Sequence, residues 1–197
     1  MGYKMRSLFT LPASALALSL LVTPVLAQDA DLDMGQGSDA EPQVGQTYSR
    51  EQIGDWNIDC VKAEDGQEEP CQMTQLMTRE DGNPIATAAF FKTPEGSQAA
   101  AGATIMVPLE TLLPAGLLLN VDGNQDKAYN FSFCNASGCV ARVGFTEAEM
   151  ATFRAGAVAT LTIRPAAAAD VAVPMKLSLT GFTKAFEQVT AVPSIGN

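Results

Sequence analysis

The chain has 197 residues, 47% of them hydrophobic, and its 12 basic and 22 acidic side chains give a formal net charge of −10 at pH 7. It contains no histidine, which excludes Ser-His-Asp and Cys-His catalysis and every metal site that needs an imidazole. The acidic balance, without a basic cluster, argues against binding to nucleic acid and against electrostatic binding to a membrane surface.

The first 27 residues have the features of a secretory signal peptide. Lys4 and Arg6 precede an apolar run from Leu8 to Val22, and Ala27 completes a small-residue cleavage motif. The run is short for a membrane span, and no stop-transfer charges follow it. We therefore expect residues 1–27 to be removed and the mature chain to be exported.

An acidic segment, residues 28–47, follows the signal peptide. Its charged residues are Asp29, Asp31, Asp33, Asp39 and Glu41, and it has almost no large apolar side chain. Such a composition cannot bury enough apolar surface to offset the entropy cost of ordering, so it predicts a disordered arm. The remaining residues, 48–197, are enough for one domain with its own core.

Short apolar runs separated by turn residues recur throughout this domain. They are DWNIDCV, CQMTQLMT, IATAAFF, ATIMVP, GLLLNV, AYNFSFC, CVARVGF, ATLTIRP and PMKLSLTG, beginning at residues 55, 71, 85, 103, 116, 128, 139, 159 and 174. This spacing predicts a mainly β domain, an antiparallel β-sandwich or barrel.

One or two short helices are predicted within this β pattern. Thr146 and Glu149 have the spacing of a capping box, and Gly156 is placed to end the helix that they begin. A second helix is predicted over residues 182–190, where Phe182 and Phe186 lie on one apolar face.

The four cysteines are Cys60, Cys71, Cys134 and Cys139. An even number in an exported chain predicts two disulfides, for which three pairings exist. A four-thiolate zinc site needs two to four residues between the cysteines of each knuckle, but ten separate Cys60 from Cys71. A thioredoxin-type redox centre needs two, which neither pair has. We therefore expect structural disulfides, with no metal and no cofactor.

Turn chemistry favours one of the three pairings. The predicted strands AYNFSFC and CVARVGF flank NASG, a sequence suited to a tight turn. Residues that flank a short hairpin turn have Cα atoms about 5.5 Å apart or less, within disulfide reach. The expected bonds are therefore Cys134–Cys139 and, by elimination, Cys60–Cys71.

A partial calcium-loop pattern occurs at residues 122–127, DGNQDK. Asp122, Asn124 and Asp126 have the one-three-five spacing of such a loop, but Lys127 and Phe133 occupy the positions that need glycine and glutamate. A polar hairpin turn between GLLLNV and AYNFSFC explains the same residues more simply.

Four segments in order resemble one protein family. They are WNIDC at residues 56–60, VPLETLLPAGLLLNVD at 107–122, the C-x3-G-C turn at 134–139 and SLTGFTKA at 178–185. Together, over residues 54–191, they resemble the invasion-associated locus B proteins, which are exported proteins of alphaproteobacteria. One position departs from that pattern: Glu110 stands where glycine is expected.

The resemblance implies a periplasmic or outer-membrane-associated protein with a link to host-cell invasion, and it supplies no catalytic residue. We therefore expect a non-enzymatic module that binds a protein of the envelope or of the host. A small-ligand binding β domain is one alternative, and a carboxylate-dependent hydrolase is a less favoured one. The sequence names neither the partner nor the oligomeric state.

Overall fold

The computed structural model describes residues 41–79 and 82–191. The predicted signal peptide and residues 28–40 of the predicted arm lie outside the described residues. At the described end of that arm, the Gly45 amide donates to the Lys62 carbonyl at 2.8 Å, and the Lys62 amide donates to the Gln46 carbonyl at 2.9 Å. These backbone bonds place residues 45–46 beside the first hairpin of the domain.

Eleven strands and two α-helices make up the described part of the chain. The strands are β1 (Thr47–Ile53), β2 (Trp56–Val61), β3 (Cys71–Thr78), β4 (Pro84–Lys92), β5 (Ala101–Val107), β6 (Leu117–Val121), β7 (Lys127–Tyr129), β8 (Phe133–Asn135), β9 (Gly138–Phe145), β10 (Val158–Ile163) and β11 (Val173–Ser178). The helices are α1 (Glu147–Ala155) and α2 (Phe182–Glu187), and a short 3-10 turn spans Leu113–Ala115. None of the described helices is long and apolar enough to cross a bilayer.

All strands belong to one antiparallel sheet. Its order is β7-β6-β10-β11-β3-β4-β5-β9-β8, and β2, with β1 beyond it, pairs with the first half of β3. The end strands β7 and β8 are separated in the chain only by residues 130–132, and four peptide steps reach at most about 14 Å. The sheet must therefore curl until its ends approach each other. The predicted antiparallel β fold is confirmed, in a form closer to the barrel than to the sandwich.

Two strand predictions differ from the structure. AYNFSFC, predicted as one strand, forms β7 and β8, because the chain crosses here from one end of the curled sheet to the other. Strand β1 was not predicted, since nearly all of its side chains are exposed and TYSREQI has no apolar alternation. Both differences arise where strand pairing, rather than burial of side chains, holds the backbone.

The capping box at the start of α1 is present as predicted. The Thr146 side chain accepts a hydrogen bond from the Glu149 amide at 3.3 Å, and the Glu149 carboxylate accepts one from the Thr146 amide at 2.8 Å. Gly156 ends the helix with a φ of −80°, so it is not a left-handed cap. A Cβ at this position would lie 2.5 Å from Val121, so close packing against β6 explains the glycine.

Helix α2 ends at Glu187, before the predicted end at residue 190. The chain leaves the helix because Thr190 bonds to the start of β3. The Cys71 amide donates to the Thr190 hydroxyl at 2.8 Å, and the Thr190 amide donates to the Cys71 carbonyl at 3.1 Å. A competing tertiary contact therefore shortens the helix.

The inner face of the curled sheet, which is the face that α1 and α2 cover, carries an aromatic core. Its rings are Trp56, Phe90, Phe145, Phe153 and Phe182, each at most 2% exposed. Trp56 meets Phe90 edge-on with 5.5 Å between ring centroids, and Phe145 meets Phe153 at 5.0 Å. Such pairs add about 0.5–1.5 kcal/mol each beyond the burial of area. This cluster joins both helices to the sheet.

Candidate binding surface on the outer face of the sheet

Both disulfides join directly opposed residues of neighbouring strands. Cys60 on β2 is bonded to Cys71 on β3, and Cys134 on β8 is bonded to Cys139 on β9, with Cα–Cα distances of 4.1 and 4.0 Å. This is the pairing that turn chemistry favours. Cys60 and Cys71 are buried, whereas Cys134 is exposed at the edge of the sheet. The Arg50 guanidinium donates to Cys71 Sγ at 3.4 Å, and each bond joins two paired strands, so both stabilise the sheet.

The outer face of β4, β5 and β9 has an aromatic ring and two glycines in one row at its centre. Phe91 on β4 opposes Gly102 on β5, which in turn opposes Gly144 on β9. In the next row, Thr104 on β5 opposes Arg142 on β9. A Cβ on Gly102 would lie 2.4 Å from the Phe91 ring, so the missing side chain lets that ring lie flat across β5.

A loop over residues 93–100 forms one wall of a cavity on this face. The Thr93 hydroxyl donates to the Ala99 carbonyl, which closes the base of the loop. The Ala100 amide donates to the Phe145 carbonyl at 2.8 Å, which fixes the loop to β9. Bonds at both ends make this a preformed wall.

We call this cavity of about 460 Å³ the outer trough. This volume lies within the usual range for small-ligand sites, roughly 300–1,000 Å³. The trough is lined by Gln72, Phe91, Thr93, Pro94, Ser97, Ala99, Ala101, Gly102, Ala103, Thr104, Arg142, Val143 and Gly144.

Arg142 is the only charged residue among those that line the trough. Its guanidinium lies over the Phe133 ring, with 5.5 Å from Cζ to the ring centroid. Its backbone amide donates to the Ser132 hydroxyl at 3.4 Å. No carboxylate within residues 41–79 and 82–191 forms an ion pair with it. Stacking thus positions the cation while its donors stay available to a ligand.

Glu149 is held by structural contacts rather than poised for catalysis. Partial burial opposes its ionisation, but hydrogen bonds from Lys127 and from Thr146 outweigh this and hold its pKa below the ordinary value. The Tyr129 hydroxyl also lies 3.4 Å from the carboxylate, and burial raises the pKa of that phenol. A general acid of a hydrolase needs a raised carboxyl pKa, so Glu149 does not fit that role.

A second carboxylate, Glu69, is bound in a similar way near β1. Hydrogen bonds from Tyr48 and Lys62 lower its pKa. The same contacts raise the pKa of Tyr48 and that of Lys62. This cluster joins β1 to the segment between β2 and β3, which explains how a mostly exposed strand is held.

The partial calcium pattern forms a hairpin turn between β6 and β7, as the simpler interpretation predicts. The Asp122 carboxylate accepts hydrogen bonds from the backbone amides of Ala157 and Val158, the latter at 3.0 Å. Asp126 accepts one from the Asn120 side chain at 2.6 Å. Across the described ranges, no group of three or more acidic or cysteine side chains is placed to hold a metal ion.

Comparison with known proteins assigns the family. The family model described as "Invasion associated locus B (IalB) protein" matches residues 56–190. The chain belongs to the invasion-associated locus B family. This confirms the resemblance on which the sequence-based identification rests, and it places the whole curled sheet from β2 onward inside the family domain.

Relatives from two bacteria support the assignment. Invasion protein B homologs from two strains of Brucella abortus are each 25% identical to the chain over 154 residues, covering 75% of it and 83% of the relative. The crystal structure of invasion associated protein B from Bartonella henselae matches with a TM-score of 0.57 and 22% identity. That match covers 71% of this chain and 91% of the other, and it supports the shared fold.

The residues that identify the family hold the fold together. Gly181, with a φ of +82°, brings the start of α2 so close to β1 that a Cβ would lie 2.6 Å from the Ile53 carbonyl. The Ser178 backbone pairs with the Gln75 side chain through bonds of 2.7 and 3.0 Å. A Cβ on Gly138 would meet the Val107 carbonyl at 2.4 Å. The family motifs therefore identify a structure rather than a site.

Sequence reasoning missed the trough because no motif contains it. The available signal was the pair of glycines, Gly102 and Gly144, inside two predicted strands. Glycine in a strand interior often indicates the close approach of another group. Register was needed to show that the two glycines oppose each other and that Arg142 lies one row away.

Proposed function

We propose that this protein is exported and acts by binding in the periplasm or at the outer membrane, without catalysing a reaction. The observation that carries the proposal is the outer trough: a preformed, largely uncharged cavity on the face of the sheet opposite the core. The two disulfides support export, because such bonds persist in oxidising compartments. The family description names no reaction.

A protein of the envelope or of the host is the proposed partner. The relatives in Brucella abortus and Bartonella henselae are named as invasion proteins, and invasion of host cells is the setting that those names suggest. A carboxylate-dependent hydrolase is less well supported, because Glu149 and Glu69 are both held ionised by hydrogen-bond donors.

Fractionation of an alphaproteobacterial host tests the export part. The full chain and a variant lacking residues 1–27 are each expressed, and their thiols are labelled with a polymer-linked maleimide without reductant. The full chain is expected in the periplasmic or outer-membrane fraction with no reactive thiol. The shortened chain is expected in the cytoplasm with labelled cysteines. A full-length chain that stays cytoplasmic and labels would contradict export.

Cross-linking in living cells tests the binding part. Formaldehyde treatment is followed by denaturing purification of the tagged chain and mass spectrometry of the adducts. The same envelope or host protein should recur in replicates and be absent with an unrelated exported β domain of similar negative charge. If no adduct recurs above that control, the protein does not act by stable binding.

A further inference from the structure

We infer that the outer trough binds a small amphiphilic anion: an apolar body, aromatic or acyl, that carries one carboxylate or sulfonate group. This inference rests on the proposed function, since it names a ligand class for a domain that acts by binding. Two features of the trough carry it: the nature of its walls and the isolation of its one charge.

The walls select an apolar body. The Phe91 ring lies across Gly102, Pro94 approaches from the loop, and Ala99 packs so closely on Gly144 that a Cβ there would lie 3.2 Å from the Ala99 methyl group. These groups offer carbon surface and no charge to a ligand. Burial of apolar area on such a surface contributes about 25 cal/mol per Å², so a flat ring or a short acyl chain gains free energy there.

The charge at the rim selects an anion. Arg142 has no carboxylate partner in the described part of the chain, and Thr104 lies directly opposite it on β5. A guanidinium binds a carboxylate or a sulfonate through two parallel N–H donors. The Thr104 hydroxyl offers a further donor on the same row. An anionic group at this rim therefore leaves the apolar body against Phe91 and Ala99.

The acidic charge of the rest of the molecule does not prevent Arg142 from attracting an anion. The chain is acidic overall, at −10, but charges farther away than about 10 Å are largely screened at 0.1 M salt. The acidic side chain of the loop wall, Glu95, is exposed and does not line the trough. Local attraction by Arg142 therefore outweighs the distant repulsion.

Two fluorescent probes that differ in one charge test the inference. Anilinonaphthalene sulfonate has an aromatic body and one sulfonate, whereas N-phenylnaphthylamine has the same aromatic body without the charge. Both are titrated into the chain purified from the periplasm of an expression host. Binding is followed by fluorescence and by amide chemical shifts of Gly102 and Gly144. The sulfonate probe is expected to bind more tightly and to shift both glycines.

Two substitutions separate the charge from the cavity. Arg142→Gln is expected to weaken the sulfonate probe about tenfold, because it removes charge-assisted hydrogen bonds, and to change the neutral probe less than about twofold. Thr104→Phe places a ring in the trough and should weaken both probes at least about tenfold. Thr160→Phe, at an outward position of β10 outside the trough, is the matched control. Near-ultraviolet circular dichroism checks that each variant is folded.

Each outcome has a defined meaning. Equal affinity of the sulfonate probe for wild type and Arg142→Gln would show that Arg142 does not bind an anionic group. Unchanged affinity of both probes for Thr104→Phe would show that they do not bind in the trough. If neither probe binds while the cross-linked adduct persists in cells, the inference is wrong and the proposed function stands. Probe binding without any adduct would instead support the trough and contradict the envelope partner.

Discussion

The two faces of the same strands differ sharply in what they carry. On β4, β5 and β9 the inward positions hold Phe90, Ile105 and Phe145, all at most 1% exposed, whereas the outward positions include Gly102 and Gly144. The inner face has a close-packed aromatic cluster, and the outer face has a cavity with one arginine. The inner face therefore determines the fold, and the side chains of the outer face, which do not pack in the core, are available to bind a ligand.

The largest effect is expected on the inner face. Phe90→Ala removes a ring that contacts Trp56, Phe145, Phe153 and Phe182. It should lower the free energy of unfolding by about 4 kcal/mol through lost burial and a cavity. Urea denaturation measures this change.

An outward residue of the same strand is the matched control for Phe90. Thr87→Ala should change the free energy of unfolding by less than about 0.5 kcal/mol. Equal losses of unfolding free energy in the two variants would mean that the inner face does not contribute more to stability than the outer face.

The loss of unfolding free energy on removing each disulfide should be larger for the buried bond that closes the longer loop. Changing Cys60 and Cys71 to alanine opens a loop of twelve residues, with an expected loss of about 3 kcal/mol, since longer loops restrict the unfolded chain more. Changing Cys134 and Cys139 opens a loop of six, with an expected loss of about 2 kcal/mol. Non-reducing peptide mapping first checks the pairing. A Cys60–Cys134 peptide would contradict the register of β2 with β3.

A smaller effect is expected where α1 begins. Glu149→Gln removes the pairing with Lys127 and weakens the capping box, so it should cost about 1 kcal/mol at pH 7. The folded-state pKa of Glu149 is lowered. The contribution of the ionised carboxylate to the free energy of unfolding is therefore fully present above the unfolded-state pKa of about 4.3. It is lost as the pH falls through the lower pKa of the folded state.

Denaturation between pH 7 and pH 3 checks that pH dependence. The stability difference between wild type and Glu149→Gln should shrink below about pH 4. Glu147→Gln is the control, because the Glu147 side chain is 78% exposed and its loss should matter little at any pH. A stability difference that grows on acidification would contradict a lowered folded-state pKa for Glu149.

The smallest effect is expected at Glu110, and it is a gain. This residue has a φ of +66°, a left-handed conformation that costs a non-glycine residue about 1–2 kcal/mol. Glu110→Gly should therefore stabilise the protein by about 0.5 kcal/mol after the entropy cost of glycine is subtracted. Glu95→Gly, at an exposed position without positive φ, should give no gain. Thermal denaturation of the two variants compares them.

Much of the fold could be predicted because its signals are local. Trp56 and Ile58 alternate with polar residues, and Thr146 and Glu149 form a capping box whose geometry needs only four consecutive residues. Strand β1 and the division between β7 and β8 could not be predicted, because they depend on pairing between distant segments. The trough escaped prediction for the same reason: Phe91, Gly102 and Arg142 become neighbours only through the register of three strands.

The central claim is that the outer trough is the functional part of the outer face, and site-specific photo-cross-linking in cells tests it most directly. Benzoylphenylalanine is placed at Ser97, an exposed residue on the loop wall of the trough, and separately at Thr160, on the outer face of β10. After illumination, a distinct adduct is expected from position 97 and none from position 160. Adducts of equal yield from both positions, or from position 160 alone, would contradict the claim.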